Sequence, residues 1–197
     1  MTILFERVEA LAFRHSASSK LCYRVRMARV VGLLVFALLF LPSCDTSSEM
    51  LVPASASIRG DAVVIAEKYL GMHYAWGGQS WWNEAGGTID CSGLVVNVYK
   101  EAAAMHDASL VFEDATALAL AQSYTMPISS PSAGDLVFMG DDRRVTHVAI
   151  CTSCTPDSVD FIDAYSIAGK VVRRSYPLSS AKIISYGRML VRHPCRT

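Results

Sequence analysis

Three residues of this chain have the types that covalent hydrolysis needs, in segments that could present them. Cys91 stands where a glycine-rich loop gives way to an apolar, helix-like run. The start of a helix gathers free N–H groups and the positive end of the helix dipole, which favour a thiolate. His147 lies on one strand-like segment and Asp163 on the next. A nucleophile, a base and an acid that orients the base are the groups of a nucleophilic hydrolase.

The elements that must position these residues predict an α+β domain. Apolar residues at helical spacing predict helices over 58–70, 91–105 and 113–124, with Ser57 capping the first. Short β-like runs separated by turn residues follow over 135–139, 146–151, 159–164, 170–176 and 184–191. Helices first and strands afterwards indicate N-terminal helices packed on an antiparallel sheet of about five strands.

The spacing also relates the histidine to the acid. If the turn between their two strands centres on Thr155 and Pro156, His147 falls opposite Asp163. Residues opposite each other on one face of an antiparallel pair have Cβ atoms about 5 Å apart. We therefore expect the carboxylate to accept a hydrogen bond from the imidazole.

The first 43 residues are predicted to be an export leader. Basic residues end at Arg29, and the apolar run over 30–41 is too short to span a bilayer, which takes roughly 20 residues. This basic region is unusually long, so we expect the true start at Met27. The leader places the remainder of the chain outside the cytoplasm.

Cys44 directly follows the expected cleavage site, and this arrangement looks like a bacterial lipobox. We expect its thiol to carry a lipid that anchors the protein to the membrane, with plain secretion or an uncleaved anchor as alternatives. Residues 44–57 are small and polar and predict a flexible tether, so the folded domain is expected over 58–197. After Cys44 the chain has 12 basic and 16 acidic side chains, so no basic patch points to nucleic acid.

Three further cysteines are open to several interpretations. Cys151 and Cys154 form a C-x-x-C pair in a predicted turn, and Cys195 lies near the end of the chain. A turn disulfide and a bond from Cys154 to Cys195 are both compatible with the spacing, which does not determine connectivity. A redox motif and a zinc site that includes His147 are the less favoured interpretations.

Five short motifs follow one another between about residues 58 and 192. They are Tyr74-Ala75-Trp76-Gly77-Gly78, Asp90-Cys91-Ser92-Gly93-Leu94-Val95, Gly134-Asp135-Leu136-Val137-Phe138, His147-Val148-Ala149-Ile150 and Phe161-Ile162-Asp163-Ala164. In this order they resemble the NlpC-type cell-wall peptidases, papain-like cysteine peptidases that cut peptidoglycan stem peptides. The resemblance implies a papain-like fold.

The resemblance also implies a role for each candidate catalytic residue. Cys91 matches the nucleophile and His147 the general base. Asp163 stands where the family has a third polar residue, commonly a histidine, and an Asp can orient and stabilise an imidazolium.

Three other residues match positions near the family's substrate. Tyr74 matches a tyrosine beside the nucleophile, whose hydroxyl helps to hold the substrate or the oxyanion. Asp90 and Ser92 match positions implicated in binding the free amine of the stem peptide.

These features together predict a monomeric peptidoglycan hydrolase that needs no metal or organic cofactor. From the resemblance, the expected reaction is cleavage of the γ-D-glutamyl–diamino acid bond through a Cys-His-Asp triad and an acyl-enzyme. A catalytically silent wall-binding protein of the same fold is one alternative. A Cys/His amidase or acyltransferase is the other.

Overall fold

The structure is a computed structural model that describes residues 51–194. The expected leader and the expected lipidation site at Cys44 lie outside the described residues. Cys195 also lies outside them. Within residues 51–194, no helix is both long and apolar enough to cross a membrane.

Three α-helices precede most of the strands, as the sequence predicts: α1 (Ala56–Lys68), α2 (Cys91–Ala104) and α3 (Ala117–Ser123). Each begins after a polar residue with extended backbone whose side chain accepts a hydrogen bond from the first turn. The expected cap of α1, Ser57, is wrong. Ser55 caps the helix instead, because its extended backbone lets its hydroxyl accept the amide of Ile58 at 3.3 Å.

The described residues form nine strands, more than the five or so that the sequence predicts. They are β1 (Leu51–Pro53), β2 (His73–Tyr74), β3 (Thr88–Ile89), β4 (Thr125–Ile128), β5 (Leu136–Asp141), β6 (Arg144–Cys154), β7 (Ser158–Tyr165), β8 (Lys170–Pro177) and β9 (Ile183–Arg192). The five predicted strands correspond to β5–β9. The four additional strands are each two to four residues long, which is too short for a clear alternating pattern.

The sheet runs in the order β1-β9-β5-β6-β7-β8-β2-β3, and β4 also pairs with β9. All pairings are antiparallel except that of β2 with β3. Residues 51–53, predicted to belong to the tether, instead pair with β9, where Leu51 lies opposite Arg192. The fold class is therefore confirmed as α+β, with the ordered domain beginning earlier than residue 58.

The main core lies where the helices pack on the sheet, and its largest members include Tyr69, Tyr99, Leu94, Leu120 and Ile162. A smaller cluster includes Val137, Met139, Ala149, Val159 and Phe161. Successive residues of β7 alternate between the two clusters, with Phe161 in the smaller one and Ile162 and Ala164 in the main core.

The register between β6 and β7 corrects the expected hairpin. Ile150 lies opposite Ile162 and Cys151 opposite Phe161, and a bulge follows. Continued along the strands, this register places Asp163 two residues away from direct opposition to His147. The error lies in the turn, because Cys154 pairs with Val159 and the turn therefore centres between Pro156 and Asp157, later than expected. The bulge, an extra residue in β6, offsets part of this shift.

Candidate active site

Cys91 is the first residue of α2, so its side chain lies at the positive end of the helix dipole. The residue is only 8% exposed. Asp90 precedes it with extended backbone, and its Oδ1 accepts the amide of Gly93 at 2.7 Å. The helix therefore begins where the sequence predicts, and its cap is the residue next to the thiol.

The loop before α2 is held close to the helix start. Asp90 Oδ2 accepts the amide of Gly77 at 3.0 Å, and the Asp90 amide donates to the carbonyl of Gly78. A Cβ atom on Gly93 would lie 2.5 Å from that same carbonyl oxygen. Glycine at this position therefore lets the loop pack directly against the first turn and fixes the position of Cys91.

His147 connects the thiol to the acid. Its Nε2 lies 2.6 Å from Oδ2 of Asp163, and the Cys91 side chain is near enough to influence the charge of the ring. Asp163 is fully buried, whereas the side chain of His147 is 22% exposed. The three residues that the sequence singles out for catalysis therefore lie together.

The surroundings of His147 favour its protonated form. Burial lowers the pKa of the imidazole, but the hydrogen bonds to Asp163 and Cys91 and the negative charges on both raise it more. The net effect is a pKa of about 9. An imidazolium next to a cysteine side chain is an arrangement in which cysteine nucleophiles are activated.

Sequence reasoning missed one residue of this cluster, Arg174 on β8. Its Nε donates to Oδ1 of Asp163 at 3.1 Å, and its Nη2 donates to Oδ2 at 2.5 Å. The contact depends on the register between β7 and β8, which places Val172 opposite Asp163. No local motif in the sequence marks this arginine.

Tyr74 lies close to the nucleophile, as the resemblance implies. Burial raises the pKa of its hydroxyl, and the negative charges of Cys91 and Asp90 raise it further. The phenol is therefore neutral near neutral pH and retains a proton to donate.

Asp90 and Ser92, which the resemblance links to substrate binding, have a structural role in the fold. The Ser92 hydroxyl donates to Asp90 Oδ1 at 3.0 Å, so this carboxylate accepts hydrogen bonds from three donors within the chain. Both residues nevertheless line the cavity beside Cys91. A carboxylate accepts up to about four hydrogen bonds, so Asp90 keeps capacity for an external donor.

That cavity has a volume of about 420 Å³. Asp90, Cys91 and Ser92 line it together with Trp76, Gly77, Gln79, Asp114, Ala115, Thr116, Ala117, Leu118, Arg144, Val145 and Thr146. Trp76 is 87% exposed although it borders the cavity. Such an exposed indole offers an apolar surface to a substrate.

Trp82 does not line this cavity. Its indole N–H donates to Glu101 at 3.2 Å, and the Lys68 ammonium lies 5.0 Å from its ring centre. It therefore covers the surface between α1 and α2.

Cys151 and Cys154 are both free thiols, so the turn disulfide considered from the sequence is not formed. Burial raises the pKa of the Cys151 thiol to about 12, which makes it a poor nucleophile. Within residues 51–194, no group of three His, Cys, Asp or Glu side chains has an arrangement suited to a metal.

Helices packed on a curled antiparallel sheet, with a thiol at a helix start and a histidine on the sheet, define the papain-like class. Residues 71–180 match the model of the NlpC/P60 family. This is more than half of the chain, and the protein belongs to that family. A search of curated proteins gives no significant match.

Several solved structures are similar to this chain. NlpC1 from Trichomonas vaginalis is 19% identical with a TM-score of 0.53, over 71% of this chain and 47% of that one. A Staphylococcus aureus protein described as similar to a lipoprotein of the NLP/P60 family is 27% identical with a TM-score of 0.48, over 74% of this chain and 44% of that one. The NlpC/P60 domain of the peptidoglycan hydrolase SagA is 23% identical with a TM-score of 0.47, over 66% of this chain and 97% of that one. This chain thus spans about half the length of the first two.

Proposed function

We propose that this protein is a cysteine endopeptidase of the peptidoglycan, acting outside the cytoplasm. Membership of the NlpC/P60 family supports a cell-wall hydrolase as the broad class. The observation that carries the finer proposal is the continuous contact from Cys91 through His147 to Asp163 beside an open cavity. A silent wall-binding protein has no need of a thiol paired with a buried imidazole and carboxylate.

In the first half of the proposed reaction, the Cys91 thiolate attacks the carbonyl carbon of the scissile amide and forms a C–S bond. Backbone N–H groups at the start of α2, including that of Cys91, stabilise the oxyanion, at about 3 kcal/mol for a good donor. The His147 imidazolium then gives its proton to the amide nitrogen. The C–N bond breaks, the amine leaves, and a thioester remains.

In the second half, neutral His147 removes a proton from a water molecule that attacks the thioester carbonyl. The C–S bond breaks, the acid product leaves, and the thiolate–imidazolium pair is restored. Asp163 keeps the ring oriented through both halves and stabilises its positive charge. No step calls for a metal or an organic cofactor.

The proposed substrate is a peptidoglycan stem peptide, cut at the γ-D-glutamyl–diamino acid bond. Its free amine would meet the Asp90 carboxylate, whose neighbour Ser92 also lines the cavity. Arg144 and Asp114 give the cavity one charge of each sign, which suits a zwitterionic peptide. Lipid attachment at Cys44 would hold the enzyme at the membrane next to this substrate.

The test is digestion of muropeptides of defined structure by the full-length protein, followed by mass analysis. We expect a new amino terminus at the diamino acid, no product from Cys91→Ala, and normal product from the control Cys154→Ala. Release of the bond between sugar and L-Ala would instead show an amidase. Wall binding without any product, equal in wild type and Cys91→Ala, would show a silent binding protein.

A further inference from the structure

We propose that Arg174 is a positioning residue for the active site, which holds the Asp163 carboxylate in place and directed at His147. This inference rests on the proposed function, since the residue acts through the proposed triad. It adds a fourth member to the chain of contacts that begins at Cys91.

The strand geometry brings Arg174 to Asp163. Ile162 and Ala164 point into the main core, so Asp163 between them points to the other side of the sheet. Val172 on β8 lies opposite Asp163, and Arg174 is two residues further along the same face. Diagonal neighbours at this distance are within reach of a long side chain.

The contact is a two-pronged hydrogen bond between guanidinium and carboxylate. Nε meets Oδ1 at 3.1 Å and Nη2 meets Oδ2 at 2.5 Å, so both oxygens of Asp163 are held. Oδ2 is also the atom that accepts from His147 at 2.6 Å. A bidentate pair fixes the plane of the carboxylate, and this plane determines where Oδ2 points.

Arg174 is itself held by aromatic side chains. Its guanidinium carbon lies 3.7 Å from the centre of the Tyr165 ring, and Nη1 donates to the Tyr176 hydroxyl at 3.0 Å. The Phe161 ring is 5.2 Å away. Stacking of this kind suits arginine and not lysine, so the guanidinium is arranged before any substrate binds.

The burial of Asp163 is a second reason for this role of Arg174. Asp163 has no solvent exposure, and a buried carboxylate without a nearby cation favours its neutral form. A neutral acid does not stabilise the His147 imidazolium on which the thiolate depends. Arg174 supplies the positive charge that pairs with the buried side chain of Asp163.

The experiment compares Arg174→Met, Arg174→Lys and the neighbouring control Arg173→Met in the full-length protein. Arg173 pairs with Glu67 at 2.7 Å and does not contact Asp163. We expect Arg174→Met to lower kcat/KM about 10- to 100-fold, as losses of supporting side chains do at other sites. We also expect it to move the acidic limb of the pH profile upward. Arg174→Lys should leave the acidic limb at its wild-type pH but should not reach the wild-type kcat. Arg173→Met should change neither the limb nor kcat.

A double-mutant cycle separates positioning from general stabilisation. Because Arg174 acts through Asp163, Arg174→Met should have little further effect on kcat/KM in an Asp163→Asn background. The double variant removes both buried charges, so it remains measurable even if Arg174→Met alone fails to fold. Equal losses in both backgrounds, or a pH profile unchanged in Arg174→Met, would overturn the proposal.

Alkylation of Cys91 by iodoacetamide, measured at that peptide across pH, tests the same inference without a substrate. We expect slower alkylation below neutral pH in Arg174→Met than in wild type or Arg173→Met. If the wild type cuts no muropeptide but alkylation responds to Arg174 in this way, the proposed function fails and the positioning role stands. If muropeptides are cut but Arg174→Met has the same alkylation rate and kcat/KM as wild type, only the positioning role fails.

Discussion

Nε2 of His147 lies 2.6 Å from Oδ2 of Asp163, although the two residues are two positions away from direct opposition across their strands. The side chains span this diagonal because both are on the same face of neighbouring strands. The contact orients the imidazole, and the Cys91 side chain also raises the pKa of this ring. The charge on His147 therefore depends on both neighbours, and this dependence can be measured.

Replacement of Cys91 by Ala should lower the pKa of His147 from its value of about 9. The thiol raises that pKa through its hydrogen bond and its charge, whereas burial, which remains, lowers it. NMR titration of the labelled imidazole in both proteins measures the change. An unaltered pKa in Cys91→Ala would mean that the thiol and the imidazole do not interact.

The raised pKa of His147 also predicts how the stability of the protein depends on pH. The folded pKa of about 9 lies above the unfolded value of about 6.5, so the protonated ring stabilises the folded state. This contribution is fully present below about pH 6.5 and is lost as pH rises through 9. Urea unfolding at pH 6 and pH 9.5 should therefore show a larger loss of stability in wild type than in Cys91→Ala.

Asp90→Asn should separate helix capping from substrate binding. Asparagine keeps one oxygen, which can still accept the Gly93 amide as the cap, but its NH2 group cannot accept the Gly77 amide. The melting temperature should therefore fall, but by less than in Asp90→Ala, which loses the cap as well at a cost of about 1 kcal/mol. If the carboxylate binds the amine of the stem peptide, KM of Asp90→Asn should rise about tenfold for peptides with a free amine. Peptides acetylated at that amine should show no such difference between variant and wild type. A rise in KM for both kinds of peptide would contradict amine recognition.

Arg144→Gln should weaken substrate binding with little effect on kcat. Arg144 is exposed and lines the cavity, so its cation is available to a substrate carboxylate. A solvent-exposed ion pair is worth about 1 kcal/mol, or roughly a fivefold rise in KM. Arg143→Gln is the matched control, since that exposed neighbour does not line the cavity. Equal KM values for the two variants would show that the position of the charge is irrelevant.

Gly93→Ala should destabilise the protein and lower its activity. The added methyl would lie 2.5 Å from the Gly78 carbonyl oxygen, so the loop must move away from the start of α2. We expect a cost of about 1–3 kcal/mol in chemical unfolding. Gly60→Ala in α1 is the control, because nothing lies within 4 Å of its new methyl and alanine favours the helix by about 1 kcal/mol. Similar effects at the two positions would show that the close approach is unimportant.

Local sequence signals predicted those features that local physics determines. The first residue of α2 was predicted correctly because Asp90 caps it and the glycine-rich loop ends there. Strands β5–β9 were predicted because each is long enough to show alternation or an apolar run. In contrast, β1–β4 depend on distant partners, such as β9 for Leu51–Pro53, and their own residues carry little pattern.

In the candidate site, too, local signals reveal residues, whereas contacts between strands depend on distant partners. Cys91, His147 and Asp163 are found from residue type and motif, but the expected register of the two strands is wrong because the sequence does not show that the turn centres between Pro156 and Asp157. Arg174 was missed because its contact with Asp163 exists only once β7 and β8 are aligned. Long-range alignment of strands is therefore what the sequence alone left undetermined.

The placement of β9 also affects when the domain can form during synthesis. This strand comes last among the described elements, yet it lies between β5 on one side and β1 and β4 on the other. A nascent chain that lacks residues 183–192 therefore leaves β5 with an open edge and gives β1 and β4 nothing to join. The activity proposed here would then require that nearly all of the domain has been synthesised.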